Sequence, residues 1–314
     1  MSFKVEAVAS PKTIISTRCH WDEQMQSVYY NDVEGVIYRY DYKENKVYSA
    51  TVDGESAIGF VIPIANPKKP GETDEFAVAF GRRVAVVRWD GVSPIAVIES
   101  TAFEVEQGKE KNLFNAAKAD PTGRFYGGTM RSIEVEDIFI ENKLLPEGAL
   151  YKYAKEGGIS ELVNNVIISN GLAWNEKEKK LFHIDSGKFY VKEYAWDPAT
   201  GDISNERLVR DFSLNGKMPG YLPDGLTIDT DGNLYVTAFM GSKIFKVEPK
   251  SGKILFEIPI PAEKVTAVAF GGPNLDILYV TTGGKDDSAN KNAGCLFQVT
   301  GLGAKGFPGV RVRI

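Results

Sequence analysis

A pattern of short, alternately apolar and polar segments returns three times in the second half of the chain, and this repetition limits the fold more than any other feature. Asn170-Gly-Leu-Ala-Trp174 leads to Leu181-Phe-His-Ile-Asp185 and then to Tyr190-Val-Lys-Glu-Tyr194. Asp224-Gly-Leu-Thr-Ile228 leads to Leu234-Tyr-Val-Thr237 and Ile244-Phe-Lys-Val247, and Val265-Thr-Ala-Val-Ala-Phe270 leads to Leu278-Tyr-Val-Thr281 and Cys295-Leu-Phe-Gln-Val299. Period-two alternation marks strands, and Asp231-Gly232 and Pro273-Asn274 stand where hairpins would turn back. Corresponding positions recur after 54 residues (170 to 224) and 42 residues (224 to 266), the period of a four-stranded propeller blade. Earlier units run from His20-Trp-Asp22 to Tyr38-Arg-Tyr40, from Phe76-Ala-Val-Ala-Phe80 to Val86-Val-Arg-Trp89, and from Ala117-Lys-Ala-Asp120 to Leu150-Tyr-Lys-Tyr153. The expectation is an all-β, six-bladed β-propeller, with four-stranded antiparallel blades around a central channel and one domain spanning 1–314. A Greek-key sandwich would leave the period unexplained. The best helical window, Phe103 to Lys118, is short and polar.

Charge and composition narrow the partners. Thirty-seven basic against 42 acidic side chains give a net charge of −5, and the basic residues sit in short clusters beside acids or turns, which argues against a nucleic-acid footprint. The longest apolar run, Ala57 to Ala65, is broken by Gly59 and Pro63 and is too short to span a bilayer. Cys19 and Cys295 are too few for a disulfide framework. Met1-Ser-Phe-Lys-Val-Glu6 lacks the apolar segment of a secretory signal. These features predict a cytoplasmic protein whose partner is a small molecule, with no nucleic acid, membrane or protein partner implied.

Several familiar motifs fail on context. Gly301-Leu-Gly-Ala-Lys-Gly306 has the spacing of a dinucleotide-binding loop, but too little chain follows for a helix and second strand. Asp229-Thr-Asp-Gly-Asn233 opens like a calcium loop, but its glycine comes too early, so it reads as a hairpin turn. The Trp-Asp pairs at 21, 89 and 196 lack the Gly-His of a WD repeat. His20 and His183 fall on separate strands, which argues against a histidine zinc site; His183 is expected to pack within its blade and His20 to be able to reach the channel.

One pair of residues stands apart. Asn170-Gly171 and Asp224-Gly225 occupy the same place in successive units, where the innermost strand begins. Side chains at equivalent places on adjacent blades point into one channel, and a polar group there is costly to bury without a partner. Two readings are open: converging oxygens that suit a hard divalent cation, or Asx-Gly pairs that hold the turn into the strand.

At these residues the sequence resembles a known family. Ile168-Ser-Asn-Gly-Leu-Ala-Trp174, Pro223-Asp-Gly225, the stretch from Asn115 to Gly128-Thr-Met130, and Val299-Thr-Gly-Leu-Gly-Ala-Lys-Gly306 look like the regucalcin (senescence marker protein)/gluconolactonase family. His183-Ile-Asp-Ser-Gly187, Ala269-Phe-Gly-Gly-Pro-Asn-Leu275 and Gly306-Phe-Pro-Gly-Val-Arg-Val312 look closest to its insect branch, the luciferin-regenerating enzymes. The resemblance covers essentially the whole chain. It implies one divalent cation (Ca, Mn, Zn or Mg) in the channel and hydrolysis of lactones or related esters. The implied metal ligands are Asn170 and Asp224, with Asp224 also as catalytic proton acceptor, and a Glu on the first blade.

That Glu is Thr17 here, within Ser16-Thr-Arg-Cys-His-Trp21. Losing one of two anionic ligands should weaken calcium binding by orders of magnitude, and Arg18 should weaken it further if its side chain points inward. The implied substrate contacts are Asn115, Leu113, Ala116 and Met130. Asn115 keeps the family's residue, whereas Leu113 and Ala116 replace its Arg and Asp, and Leu113 offers no donor to a sugar hydroxyl. The expected activity is therefore a metal-dependent hydrolase of a small lactone or ester that is apolar or aromatic. The alternative is a propeller that has lost catalysis and binds a small ligand, or calcium weakly, because of Thr17, Leu113 and Ala116.

Overall fold

The computed structural model describes residues 3–8, 10–65, 74–140, 143–284 and 290–314. The chain is all-β with propeller-like, curled sheets; the helical elements among the described residues are two single 3₁₀ turns, Val135–Asp137 and Ser186–Lys188. Strands pair with their sequence neighbours in antiparallel groups of four. The first group is Ser16–Asp22, Ser27–Asp32, Val36–Asp41 and Lys46–Val52. Next come Val61–Pro63, Asp74–Phe80, Arg83–Trp89 and Ile95–Glu104. The following groups start with Asn112–Ala119, Ser169–Asn175, Leu222–Ile228 and Lys264–Gly271. In the last group the N-terminal strand Lys4–Ala7 supplies the fourth member, pairing Lys4 with Thr300 and Ala7 with Phe297. Two sheets remain four-stranded, and two are joined into eight, through the parallel pairing of Thr51 with Ile95 and the single bridge from Phe239 to Lys264.

Two local expectations are revised. The window Phe103 to Lys118 is extended, divided between Ile95–Glu104 and Asn112–Ala119, because its apolar residues Phe103, Phe114 and Ala117 join one inter-sheet cluster. The second unit begins before Phe76: the apolar run ending at Ala65 contains the short first strand Val61–Pro63, with Phe60 and Val61 fully buried.

The core lies between successive groups, face against face. Tyr29, Ile37 and Val52 of the first meet Val61, Phe76 and Trp89 of the second, and Trp21 and Tyr40 of the first meet Tyr279 of the last. The Trp21 and Tyr279 rings stack 5.7 Å apart with 9° between planes. Full burial of large apolar side chains such as these contributes about 1.5–3 kcal/mol each. Every group thus needs its neighbours to bury both faces, which ties the two ends of the chain together.

Five of the six innermost strands, all but Val61–Pro63, share an irregularity. Register shifts fall between Thr17 and Cys19, Phe114 and Ala116, Ser169 and Leu172, Pro223 and Leu226, and Val265 and Val268. A bulge leaves its extra residue unpaired and re-aims the side chain. The bulged residues are Arg18, Asn115, Asn170-Gly171, Asp224-Gly225 and Thr266-Ala267. The Asx-Gly pairs therefore lie within strands, and their glycines serve close approach. A Cβ on Gly171 would stand 2.6 Å from Leu226 N, and one on Gly225 would stand 2.6 Å from Ala267 Cα.

Gly171→Ala and Gly225→Ala should each destabilise the fold by about 1–3 kcal/mol, as overpacking does. Gly220→Ala should be neutral, since Gly220 is exposed and a Cβ there meets nothing within 4 Å. Urea denaturation of the three variants checks this ordering.

Candidate functional site

Of the bulged residues, Arg18, Asn115, Asn170, Asp224, Thr266 and Ala267 converge on a cavity of about 320 Å³. Its walls are apolar: Ile14, Leu113, Met130, Ile133, Val135, Ile138, Leu222 and Phe239 line it. Met130, Ile138, Ile168, Leu222 and Phe239 form one buried cluster. Its floor is polar, made by Thr17, Arg18, Asn115, Asn170, Ser186, Asp224 and Thr266. Glu34 and Glu134 stand exposed at the rim.

The floor is laced together strand to strand. Asn115 Nδ2 donates to the Ser169 carbonyl at 3.0 Å, and Asn170 Nδ2 donates to Ser186 Oγ at 2.9 Å. Ser186 Oγ in turn donates to the Pro223 carbonyl at 2.5 Å. Thr237 Oγ1 donates to the Thr266 carbonyl at 2.8 Å, and Thr266 Oγ1 to the Ser16 carbonyl at 2.6 Å. Thr17 turns its hydroxyl away from the floor's centre, donating to the Gly59 carbonyl at 3.1 Å and accepting Asn31 Nδ2 at 2.7 Å.

Arg18 holds the middle. Its φ of +49° places a non-glycine residue in the left-handed region, a strain of about 1–3 kcal/mol that the surrounding bonds must hold. Nη2 donates to Asn170 Oδ1 at 2.7 Å and Nε to the Asn115 carbonyl at 2.9 Å. Asp224 faces the same cavity, and burial raises its carboxyl to about 7, with the Arg18 charge and the Asn170 amide pulling it back only part way. Burial also lowers the pKa of Arg18, and the Asp224 charge opposes that.

A second cavity of about 230 Å³ lies below, and Arg18 and Ala267 line both. It holds Cys19, His20, Lys118 and Trp174. Burial drives His20 down to about 3 and Lys118 to about 8, and pushes the Cys19 thiol up to about 12, which disfavours its thiolate. His183 lies elsewhere, its Nε2 2.8 Å from Ser169 Oγ, and burial lowers it to about 3.

Of the residues that the sequence singled out, Asn115, Asn170, Asp224, Leu113, Met130 and Thr17 meet at the first cavity. Ala116 does not: the bulge after Phe114 sends Asn115 to the cavity and leaves Ala116 buried opposite Gly128. Ser186 and Thr266 were missed; Arg18, whose inward orientation the sequence left as a condition, takes the central place. An arginine inside a strand that must be buried on both faces was the available signal.

The donor set does not fit a divalent cation. Such an ion needs several oxygens free to turn on it, but Asn170 Oδ1 is taken by Arg18 and Thr17 Oγ1 by Asn31 and Gly59. The floor's carboxylate is Asp224, and the positive charge of Arg18 already acts on it from across the cavity. Among the described residues no three His, Cys, Asp or Glu side chains are grouped to hold a metal.

Comparison with known proteins places this geometry. A family model for the SMP-30/gluconolactonase/LRE-like region matches residues 16–284. Regucalcin of Danio rerio is 33% identical over 313 residues, with 98% of this chain and 97% of the relative covered. Regucalcin of Gallus gallus is 31% identical with the same coverage. A solved luciferin-regenerating enzyme superposes with a TM-score of 0.87 at 38% identity, covering 100% of both chains. A calcium-binding regucalcin from Agrobacterium tumefaciens superposes with a TM-score of 0.81 over 99% of this chain and 98% of that one; at 16% identity this likeness concerns the fold alone.

The raised Asp224 carboxyl has a consequence for stability. Between 3.8 and about 7 the folded chain binds a proton that the unfolded chain has released. This contribution is fully present below the unfolded value and is lost as pH rises through the folded one. Urea denaturation at pH 5 and pH 8 should show a smaller loss of stability in Asp224→Asn than in the unmodified chain.

Proposed function

Given that the chain belongs to the SMP-30/gluconolactonase/LRE-like family, we propose that it hydrolyses a small, mostly apolar lactone or ester in the first cavity, with Asp224 as general base. The observation that carries this reading is the placement of one half-buried carboxylate on a hydrogen-bonded polar floor beneath apolar walls. A flat ring would lie against Leu113, Met130 and Phe239 with its carbonyl turned toward Arg18, Asn115 and Asn170. Asp224 would take a proton from a water attacking the carbonyl carbon; the ring C–O bond then breaks, and the proton passes to the leaving alkoxide, giving a hydroxy acid. A carboxyl that titrates near 7 is matched to that exchange at neutral pH. Leu113 in the wall is the reason to expect an apolar ring in place of a sugar lactone.

We read the four-stranded groups as six blades of one propeller unit, a reading supported by the pairing of successive strands and by the N-terminal strand completing the last group. The partner is a small molecule. A net charge of −5 fits neither nucleic acid nor an anionic membrane surface.

A second reading, a carrier that binds such a ligand without hydrolysing it, draws on Thr17, whose hydroxyl is engaged away from the floor's centre and supplies no second carboxylate. Hydrolysis of a panel of aromatic and aliphatic lactones, followed by acid release, separates the two. Asp224→Ala should lower kcat/KM by roughly 10²–10⁴-fold. Saturable lactone binding with no acid released by the unmodified chain would select the carrier.

A further inference from the structure

We propose that the Arg18 guanidinium is the resident cation of this cavity, holding the place among Asn170, Asn115 and Asp224 that a divalent ion would need, and that it binds the carbonyl oxygen of the ligand. The assignment of a carbonyl partner rests on the proposed lactone or ester ligand; the exclusion of a divalent ion does not.

Three independent observations converge on this residue. The backbone is committed to it: the bulge between Thr17 and Cys19 and the φ of +49° at Arg18 turn this side chain into the channel, while Thr17 is held aside. Its bonds occupy the oxygens a metal would use, Asn170 Oδ1 at 2.7 Å and the Asn115 carbonyl at 2.9 Å. Its charge is placed to balance Asp224 without closing on it: among the described residues Arg18 has no carboxylate oxygen within 4.0 Å. A direct ion pair would have consumed both groups. Held apart across the cavity, they leave the carboxylate able to accept a proton and the guanidinium able to donate hydrogen bonds.

The donor count points the same way. A guanidinium has five N–H groups in a rigid plane, and the two bonds above are those it makes among the described residues. Arg18 lines both cavities, so donors remain on the ligand's side. A carbonyl oxygen set against them gains charge-assisted hydrogen bonds that strengthen as negative charge develops on that oxygen during attack. A divalent ion entering the same space would meet a fixed positive charge at low dielectric and one carboxylate to offset it.

Calorimetric titration of chelator-treated protein with calcium chloride tests the exclusion without any assumption about activity. The unmodified chain should bind no calcium below about 1 mM, the weak end of protein calcium sites. The double variant Thr17→Glu with Arg18→Ala, which adds a carboxylate and frees two oxygens, should bind calcium at least roughly ten-fold tighter than that limit, with circular dichroism confirming the fold. Calcium binding by the unmodified chain that is lost in Asp224→Ala would overturn the proposal. So would a folded double variant that binds none. For the carbonyl partner the probe is phthalide, a flat apolar lactone, in the presence of EDTA. Its affinity should fall roughly ten-fold or more in Arg18→Met, as expected for loss of a charge-assisted hydrogen bond. Unchanged affinity in Arg18→Met would overturn that assignment while leaving the metal result standing.

Discussion

A chain of hydrogen bonds passing between innermost strands is the interaction on which the rest of this site depends. Arg18 reaches the Asn115 carbonyl, Asn115 reaches Ser169, Asn170 reaches Pro223 through Ser186, Thr237 reaches Thr266, and Thr266 returns to Ser16. Apart from the Asn170–Ser186 bond, which joins two side chains of one group, each bond joins a side chain on one group of strands to the backbone of another, so the inner edges are fixed at a spacing that apolar packing alone would not specify. Gly171 and Gly225 permit that spacing, because a side chain on either would strike the neighbouring strand. The same bonds satisfy polar groups that burial would otherwise leave costly.

The electrostatics of the floor follow from that enclosure. One guanidinium and one carboxylate face a common space whose walls are aliphatic and aromatic, and burial presses on both charged forms. Their mutual attraction recovers part of what is lost, but without direct contact neither group is consumed by the other. A ligand with a carbonyl and a flat apolar body is complementary to this arrangement at both ends. The lower cavity is different in kind: His20 and Lys118 are shifted by burial toward their neutral forms, and Arg18 forms part of the boundary between the two spaces.

The alternation in Leu234-Tyr-Val-Thr237 and Leu278-Tyr-Val-Thr281 was enough to place strands, because the period of two is a direct image of a pleated backbone with both faces packed. The recurrence of Asn170 and Asp224 one unit apart was enough to predict that they face one channel, since equivalent positions in a repeat are carried to equivalent places. The short strand Val61–Pro63 was less legible: three residues carry no periodicity, and its burial comes from neighbours distant in sequence. The window from Phe103 to Lys118 misled for the same reason, its apolar spacing serving an inter-sheet cluster.

The sequence by itself determined the strand content, the repeat, the family, and that Asn170 and Asp224 would meet at the inner edge, because these depend on local pattern and its recurrence. It also determined the apolar character of the wall at Leu113. Only the tertiary structure decided which way the residues at 17 and 18 face and that Ala116 stays out of the cavity. A bulge shifts side chains by one position, and nothing in the local sequence sets where the register slips; that choice belongs to the bonds Arg18 makes with Asn115 and Asn170, roughly a third and a half of the chain away.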